Sequence, residues 1–432
     1  MVLSVTPQGG PLPNPIKVVG MGSAGIDYLA QVASYPKPDE KLRTERLEAQ
    51  GGGNCGNALT AAARLGLSPW IVTKIGDDSL GDGIISEFQR DGVVTDCILR
   101  APGAPSPFTY IIVDREGATR TCIHTPGEVF NPSELTLELI NNALNDAALV
   151  YFDGRLTEAA VLLAKAARSR GIPVLAEGER LRPGLEDLLQ EADYVVTSAH
   201  FPSNWTGEEC QGNAIIKTFA RLPKVKWMIT TLGKNGSILL ERRADNTGTT
   251  GESNSIKEGV AEDVFKNLFA EVEEKRSPRK EKTLRGCTSA DGTEIFAGGV
   301  ATTTTAIRLL LKQGISEKDS DVVASNAAAA AAAAAANADT GNSAAYASQL
   351  APFQPPEAIV TVSQAAHLPD DAVLDTTGAG DAFIGSVLYC IATGKSPQHA
   401  QRLGAVVAAR KCTALGARPG LPFRNDLAAA LL

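Results

Sequence analysis

Between Leu149 and Leu240 the sequence alternates short apolar runs with longer stretches of helical spacing: Leu149 to Phe152, Glu158 to Arg170, Pro173 to Ala176, Tyr194 to Thr197 and Trp227 to Thr231. Such alternation predicts strands joined by helical crossovers into a parallel, twisted sheet covered by helices. With 432 residues, 44% hydrophobic and 21% charged, the chain can supply one large α/β domain with segments to spare.

A second constraint is the stretch Leu374 to Phe383. Phe383, Ile384, Val387, Leu388 and Ile391 recur at helical spacing and stop at Gly394, which puts Gly378 and Gly380 at a helix N-terminus. Backbone N–H groups there have no intrahelical partner, the helix dipole is positive, and small residues let a phosphate approach the backbone. Gly378, Ala379 and Gly380 are therefore a candidate anion hole. Asp381, in the first turn, is a candidate base for a hydroxyl attacking a terminal phosphate. A lone Gly-Ala-Gly-Asp reads equally well as a tight turn with a capping carboxylate.

Upstream, Ile16 to Gly22 predicts a buried strand entering a turn, followed by Asp27 and extended sequence to Val32. Gly20-x-Gly22 is no dinucleotide fingerprint, because the third glycine is misplaced and no helix follows directly. Gly51 to Asn57 is a Gly-rich turn opening a helix with apolar face Ala58, Leu59, Ala62 and Leu65, stopped by Gly66. Asn54 and Asn57 suit sugar hydroxyls, and equally N-capping. Phe108 to Val113 and Thr119 to Thr125 flank Asp114-Arg115-Glu116-Gly117 and predict a hairpin.

A formal charge of −8 argues against a nucleic-acid surface. Seven scattered cysteines without a C-x-x-C pair argue against a disulfide framework or a zinc site, and four histidines show no ligand spacing. No run of about 18 apolar residues suggests a membrane span, and Met1 to Pro15 has no leader pattern, so a cytoplasmic location is expected.

Taken in chain order, these stretches resemble the signatures of the ribokinase-like, or PfkB, carbohydrate kinases. Asp375 to Phe383 resembles the family's D-T-x-G-A-G-D-x-F, and Gly52 to Gly66 its G-G-x-x-x-N-A-x-x-x-x-x-R-L-G. Lys74 to Gly81 resembles the strand and turn before its lid, and Thr231 to Gly236 its T-L-G-x-x-G. The resemblance covers roughly residues 16 to 241 and 358 to 422. It implies a three-layer α/β/α fold with a central, mostly parallel sheet and a small β lid, from about 26–50 and 97–127. It also implies a phosphotransferase acting on a sugar hydroxyl, with ATP and Mg2+ as cofactors, a monovalent cation such as K+ near the closing helix (Ala400 to Cys412), and a homodimer through the lid. Asp381 would be the base, with the Gly378, Ala379 and Gly380 amides on the transferring phosphoryl group. Asp27, Gly53, Asn54, Asn57 and Arg155 would meet the sugar. Thr231, Gly233 and Gly236 would join Gly378 and Gly380 at the nucleotide, and Glu177, Glu179 and Asp375 would face magnesium.

Within the family the detail is similar to ketohexokinase: Tyr35-Pro36-Lys37 before the lid, Gly53-Asn54 where a ribokinase has G-K, Asp153-Gly154-Arg155, Glu177-x-Glu179, and Arg410-Lys411-Cys412. A ketohexose such as fructose is then the expected acceptor, with ribose, a nucleoside, or a non-catalytic interaction role as alternatives. Ser198-Ala199-His200-Phe201 departs from the N-x-x-E that many members carry.

Residues 242–357 break the rhythm with a charged stretch (Glu271 to Lys282), a threonine run (Thr302 to Thr305) and ten consecutive alanines (Ala327 to Ala336). They are expected to form a low-complexity insertion on the surface, leaving from neighbouring strands on the nucleotide side. Residues 1–15 form an N-terminal tail, and 16–241 with 358–432 the kinase domain.

Overall fold

Strand β8 (Leu149–Phe152) shows how the centre is built: Val150 and Phe152 enter one core, Leu149 and Tyr151 the other, and all four are buried. A strand that is apolar on both faces must be covered on both. The computed structural model describes residues 12–117, 119–242, 257–275, 285–303, 306–312 and 353–432. In chain order, the strands are β1 (Lys17–Met21), β2 (Gly25–Val32), β3 (Arg46–Gly52), β4 (Ser68–Gly76), β5 (Val94–Ala101), β6 (Phe108–Asp114), β7 (Thr119–Thr125), β8, β9 (Val174–Gly178), β10 (Tyr194–Thr197), β11 (Trp227–Thr231), β12 (Ser237–Arg242), β13 (Lys257–Val260), β14 (Arg285–Thr288), β15 (Glu294–Phe296), β16 (Val300–Thr302), β17 (Ile307–Leu310) and β18 (Glu357–Ser363). The helices are α1 (Asn54–Arg64), α2 (Ser79–Arg90), α3 (Leu137–Leu144), α4 (Thr157–Ser169), α5 (Leu185–Leu189), α6 (Phe201–Thr206), α7 (Gln211–Ala220), α8 (Ala261–Lys275), α9 (Ala379–Ala392) and α10 (Pro397–Lys411).

The main sheet runs β13-β17-β18-β12-β11-β10-β9-β8-β1-β4-β5, with β16 also on β18. From β11 through β5 neighbouring strands are parallel; β12 runs antiparallel between β11 and β18, so β18 has the direction of the parallel set. Leu163, Phe219 and Phe265 pack one face, while Leu59, Val387, Leu388 and Leu403 pack the other. Each such side chain, buried, contributes about 1.5–3 kcal/mol. Helix α10 starts where Ser396 Oγ accepts from His399 N at 3.2 Å and Pro397 fills the first turn. The three-layer α/β/α expectation holds. Among the described residues, no helix is long and apolar enough to cross a membrane.

The lid is a separate sheet, β3-β2-β6-β7, whose inner face packs Leu29 and Ile111 on Leu415. Residues 97–101, expected in the lid, belong to β5 in the main sheet, paired with β4 from Val72 to Gly76. Cys97 and Ala101 are buried there, so the hydrophobic pattern places them in the large core.

The expected insertion differs more. Helix α8 carries Phe265, Leu268 and Val272 at helical spacing and buries them with Met228 and Ile238 in the main core. Cys287 and Ile295, from the β14-β15 pair, enter the other core beside Leu403 and Val406. Charged residues between the apolar positions of α8 hid this stripe in the sequence. The segment also leaves and re-enters at the edge where β11 begins, since Arg242 pairs with Ala358 and Arg242 N donates to Lys226 O. That is opposite the carboxyl ends of the parallel strands, not on the nucleotide side. The alanine run and residues 1–11 lie outside the described residues.

Candidate active site

The carboxyl ends of β1, β8, β9 and β11 lead into Ser23, Asp153, Glu179 and Thr231–Gly236, the edge where ligands of open α/β sheets bind. Helices α1 and α9 bring their N-termini to the same edge because they touch closely: a Cβ on Gly385 would sit 2.5 Å from Ala61 Cβ.

Asp381 is buried, and Asn57 Nδ2 donates to its Oδ2 at 2.8 Å. Asn57 Oδ1 in turn accepts from Arg418 Nε at 3.0 Å. Arg418 is 3% exposed; it donates to Gly52 O at 3.2 Å, lies 3.4 Å from Glu87 Oε1 and covers the Phe88 ring. Burial pushes the Asp381 carboxyl up to about 7; the Asn57 hydrogen bond opposes this and nearby Glu179 reinforces it. Asp27, on β2, is also buried and pushed up to about 6 by desolvation, against a hydrogen bond from Thr109 and the charge of Arg418. Asn57, expected on the sugar, therefore also links the lid-side arginine to the candidate base.

A second network holds the floor. Asp153 accepts from Ser23 N (2.7 Å), Ser23 Oγ (2.6 Å), Cys55 N (3.2 Å) and Arg155 N (3.1 Å), tying the β1 loop to the start of α1. Arg155 Nη2 donates to Glu179 Oε2 at 3.1 Å and Asn54 Oδ1 at 3.2 Å, and Asn54 Nδ2 reaches Glu179 at 3.3 Å. Glu177 accepts from Tyr151 OH at 2.9 Å. Desolvation, then the charges of Asp381, Glu179 and Asp153, push its carboxyl well above the ordinary range.

At the anion turn, Gly378 caps α9 with φ 74°, and a Cβ there would lie 2.7 Å from Ala417 Cβ. Only glycine meets both demands. Ala379 N donates to Thr376 O at 3.2 Å, so its amide is turned into its own loop, whereas a Cβ on Gly380 would meet nothing within 4 Å. Asp375 does not join the other carboxylates: it accepts from Thr377 N (2.9 Å), Thr377 Oγ1 (2.7 Å) and Gly416 N (2.7 Å). Burial would raise its pKa, but Lys411 and these hydrogen bonds bring it below the ordinary value. Asp375, expected at magnesium, thereby ties the loop before α9 to Gly416. Thr231 Oγ1 donates to Thr197 O at 3.1 Å, and Leu232 N to Gly236 O at 2.7 Å, closing the β11-β12 hairpin. Gly53 caps α1 against the backbone of Ser23. Among the described residues no group of three or more His, Cys, Asp or Glu is arranged to hold a metal ion directly.

Residues 16–260 and 341–424 match the family model described as pfkB family carbohydrate kinase. The chain belongs to the pfkB family. This carbohydrate kinase is a phosphotransferase with an alcohol group as acceptor. It is 24% identical over 265 residues to ribokinase of Staphylococcus aureus (59% of this chain, 84% of that one), and 27% identical over 257 residues to ribokinase of Mus musculus (59% and 75%). Its fold is similar to that of Arabidopsis thaliana ribokinase complexed with ribose and ATP (TM-score 0.57, 18% identity, 96% and 97% covered). It is also similar to that of Burkholderia thailandensis nucleoside kinase in complex with inosine (TM-score 0.57, 14% identity, 96% and 96% covered).

Two residues of this pfkB site escaped the sequence reading. Arg418 sits in Gly416-Ala417-Arg418-Pro419, which gives no sign that separates a buried arginine from a surface one. Arg120, on β7, donates to Thr377 Oγ1 at 2.6 Å and so links the lid to the anion turn.

Proposed function

We propose that the chain transfers the γ-phosphate of ATP to a primary hydroxyl of a small sugar, with Asp381 as the base. The observation that carries this is the buried Asp381 carboxylate, held by Asn57 at the start of α9 and raised to about 7. As the hydroxyl oxygen attacks the γ-phosphorus in line, Asp381 takes its proton and the bond to the bridging oxygen of ADP breaks. The α9 N-terminus at Gly378 and Gly380 stabilises the charge gathering on the equatorial oxygens. Asp27 and Asn57 orient the sugar beneath the lid, and the Thr231–Gly236 hairpin borders the nucleotide.

Glu177 suits magnesium, since its buried carboxylate is crowded by Asp381, Glu179 and Asp153 and a hydrated cation would relieve that crowding. Glu177 and Glu179 would hold the ion through waters, and the ion would neutralise charge on the β- and γ-phosphates.

The acceptor we favour is a ketohexose, on the likeness of Gly53-Asn54, Asp153-Gly154-Arg155 and Glu177-x-Glu179 to ketohexokinase. Ribose is the second reading, supported by the ribokinases among the relatives. We further propose a cytosolic homodimer joined through the lid, whose outer face gathers Tyr28, Tyr110, Leu47 and Ile123, the last three exposed. A coupled ADP-release assay comparing kcat/KM for fructose, ribose and inosine tests the acceptor. Preference for fructose supports the reading; preference for ribose or the nucleoside overturns it and leaves phosphotransfer standing.

A further inference from the structure

Lys411 ends α10 and is completely buried. An enclosed ammonium is costly unless charge and hydrogen bonds compensate it. Here Nζ donates to Asp375 O at 2.6 Å and lies 4.0 Å from Asp375 Oδ2. Two chain segments wrap this pair. Leu374 N and Asp375 N both donate to Cys412 O, at 2.8 and 3.2 Å, and Gly416 N donates to Asp375 Oδ2. The backbone closes tightly on the other side too, since a Cβ on Gly420 would fall 2.3 Å from Lys411 O. Three residues beyond Asp375 the same loop becomes Gly378, the cap of α9.

The family resemblance implies a monovalent cation in this region. The donor set does not fit one: the Asp375 carbonyl is taken by an ammonium, and the Asp375 carboxylate by the Thr377 and Gly416 amides. A potassium ion entering here would meet a like charge in a medium of low dielectric.

We propose that Lys411 is itself the resident cation of this loop, a positioning residue that holds the Gly378–Gly380 turn in place and makes phosphotransfer independent of added potassium. The inference rests on the kinase reading of the site, but part of its test does not. Burial draws the lysine below its ordinary pKa and Asp375 opposes that, as expected for a charge kept by one partner.

The full chain is assayed with ATP, magnesium and its best acceptor in potassium chloride and in tetramethylammonium chloride of equal ionic strength. The expected kcat values agree within about twofold; potassium activation above about tenfold overturns the proposal. Melting temperature is read in the same two salts without substrate. Potassium should leave the parent unmoved, and a potassium-specific rise would count against the proposal even if no acceptor were turned over. Lys411→Met completes the test: kcat should fall by about tenfold or more and be partly restored by potassium or ammonium, with a matching rise in melting temperature. A variant with parental kcat, or one that loses activity and responds to neither cation, refutes the positioning role. If Lys411→Met does not fold, the parent's response to the two salts decides alone.

Discussion

The two ends of the cleft use different materials. At the acceptor end, Asp381, Asn57, Arg418 and Glu87 form a chain of bonded side chains in a buried setting, and Arg155, Asn54 and Glu179 form a second, half-buried one that the Arg155 backbone ties to Asp153. At the nucleotide end, the named positions are mostly glycines, and both Gly233 and Gly380 face open space. Side-chain networks in low dielectric fix a charged group in place before substrate arrives, at the cost of desolvation. A turn of backbone amides offers charge stabilisation with room for a bulky phosphate. Changes to the acceptor-end networks should therefore act on chemistry and stability, changes at the Gly378–Gly380 turn on kcat, and changes at the Thr231–Gly236 hairpin on ATP binding.

The largest expected effect is at Asp381. Asp381→Asn should lower kcat by about two to four orders of magnitude while leaving ATP affinity nearly unchanged. Turnover close to the parent's in a steady-state assay would remove Asp381 from the base role. The pH profile sharpens the same point. A base must be deprotonated to act, so with Asp381 at about 7 activity is present above that pH and lost as pH falls through it. The expected slope is about tenfold in kcat/KM per unit below pH 7. A flat profile from mildly acid to mildly alkaline pH would contradict the raised carboxyl.

Arg418→Met tests whether the acceptor network also supports the fold. It leaves Asn57 Oδ1 and Glu87 without the guanidinium, and should cost about 2 kcal/mol in urea unfolding with a raised KM for the acceptor. An unchanged unfolding midpoint would mean that Arg418 merely fills space. The smallest effect belongs to the other end. Gly233 has φ 58°, so Gly233→Ala should cost about 1 kcal/mol and change KM for ATP more than KM for the sugar. A shift confined to the sugar would erase the contrast between the two ends.

The sequence disclosed the parallel sheet because its strands are continuous apolar runs, and it disclosed the glycine turn at the start of α9 because local spacing defines it, while only the family resemblance singled out Asp381 as the base. It did not disclose Arg418 or the placement of Lys411, whose burial follows from long-range packing against β3, α1 and the Leu374–Gly378 loop. The burial of helix α8 was not legible for a related reason: Phe265, Leu268 and Val272 keep helical spacing, but charged residues fill the positions between them. The hydrogen bonds that tie Asp375 to Thr377 and Gly416 were not legible either, because a carboxylate's donors cannot be counted from sequence.

The most direct measurement is phosphorus NMR of the products formed from ATP, magnesium and fructose or ribose by the parent chain and by Asp381→Asn. The parent should convert the γ-phosphate into a sugar phosphomonoester, with little inorganic phosphate, and the variant should form almost none. A parent that yields only inorganic phosphate, or a variant that forms the ester as fast as the parent, would contradict phosphotransfer with Asp381 as the base.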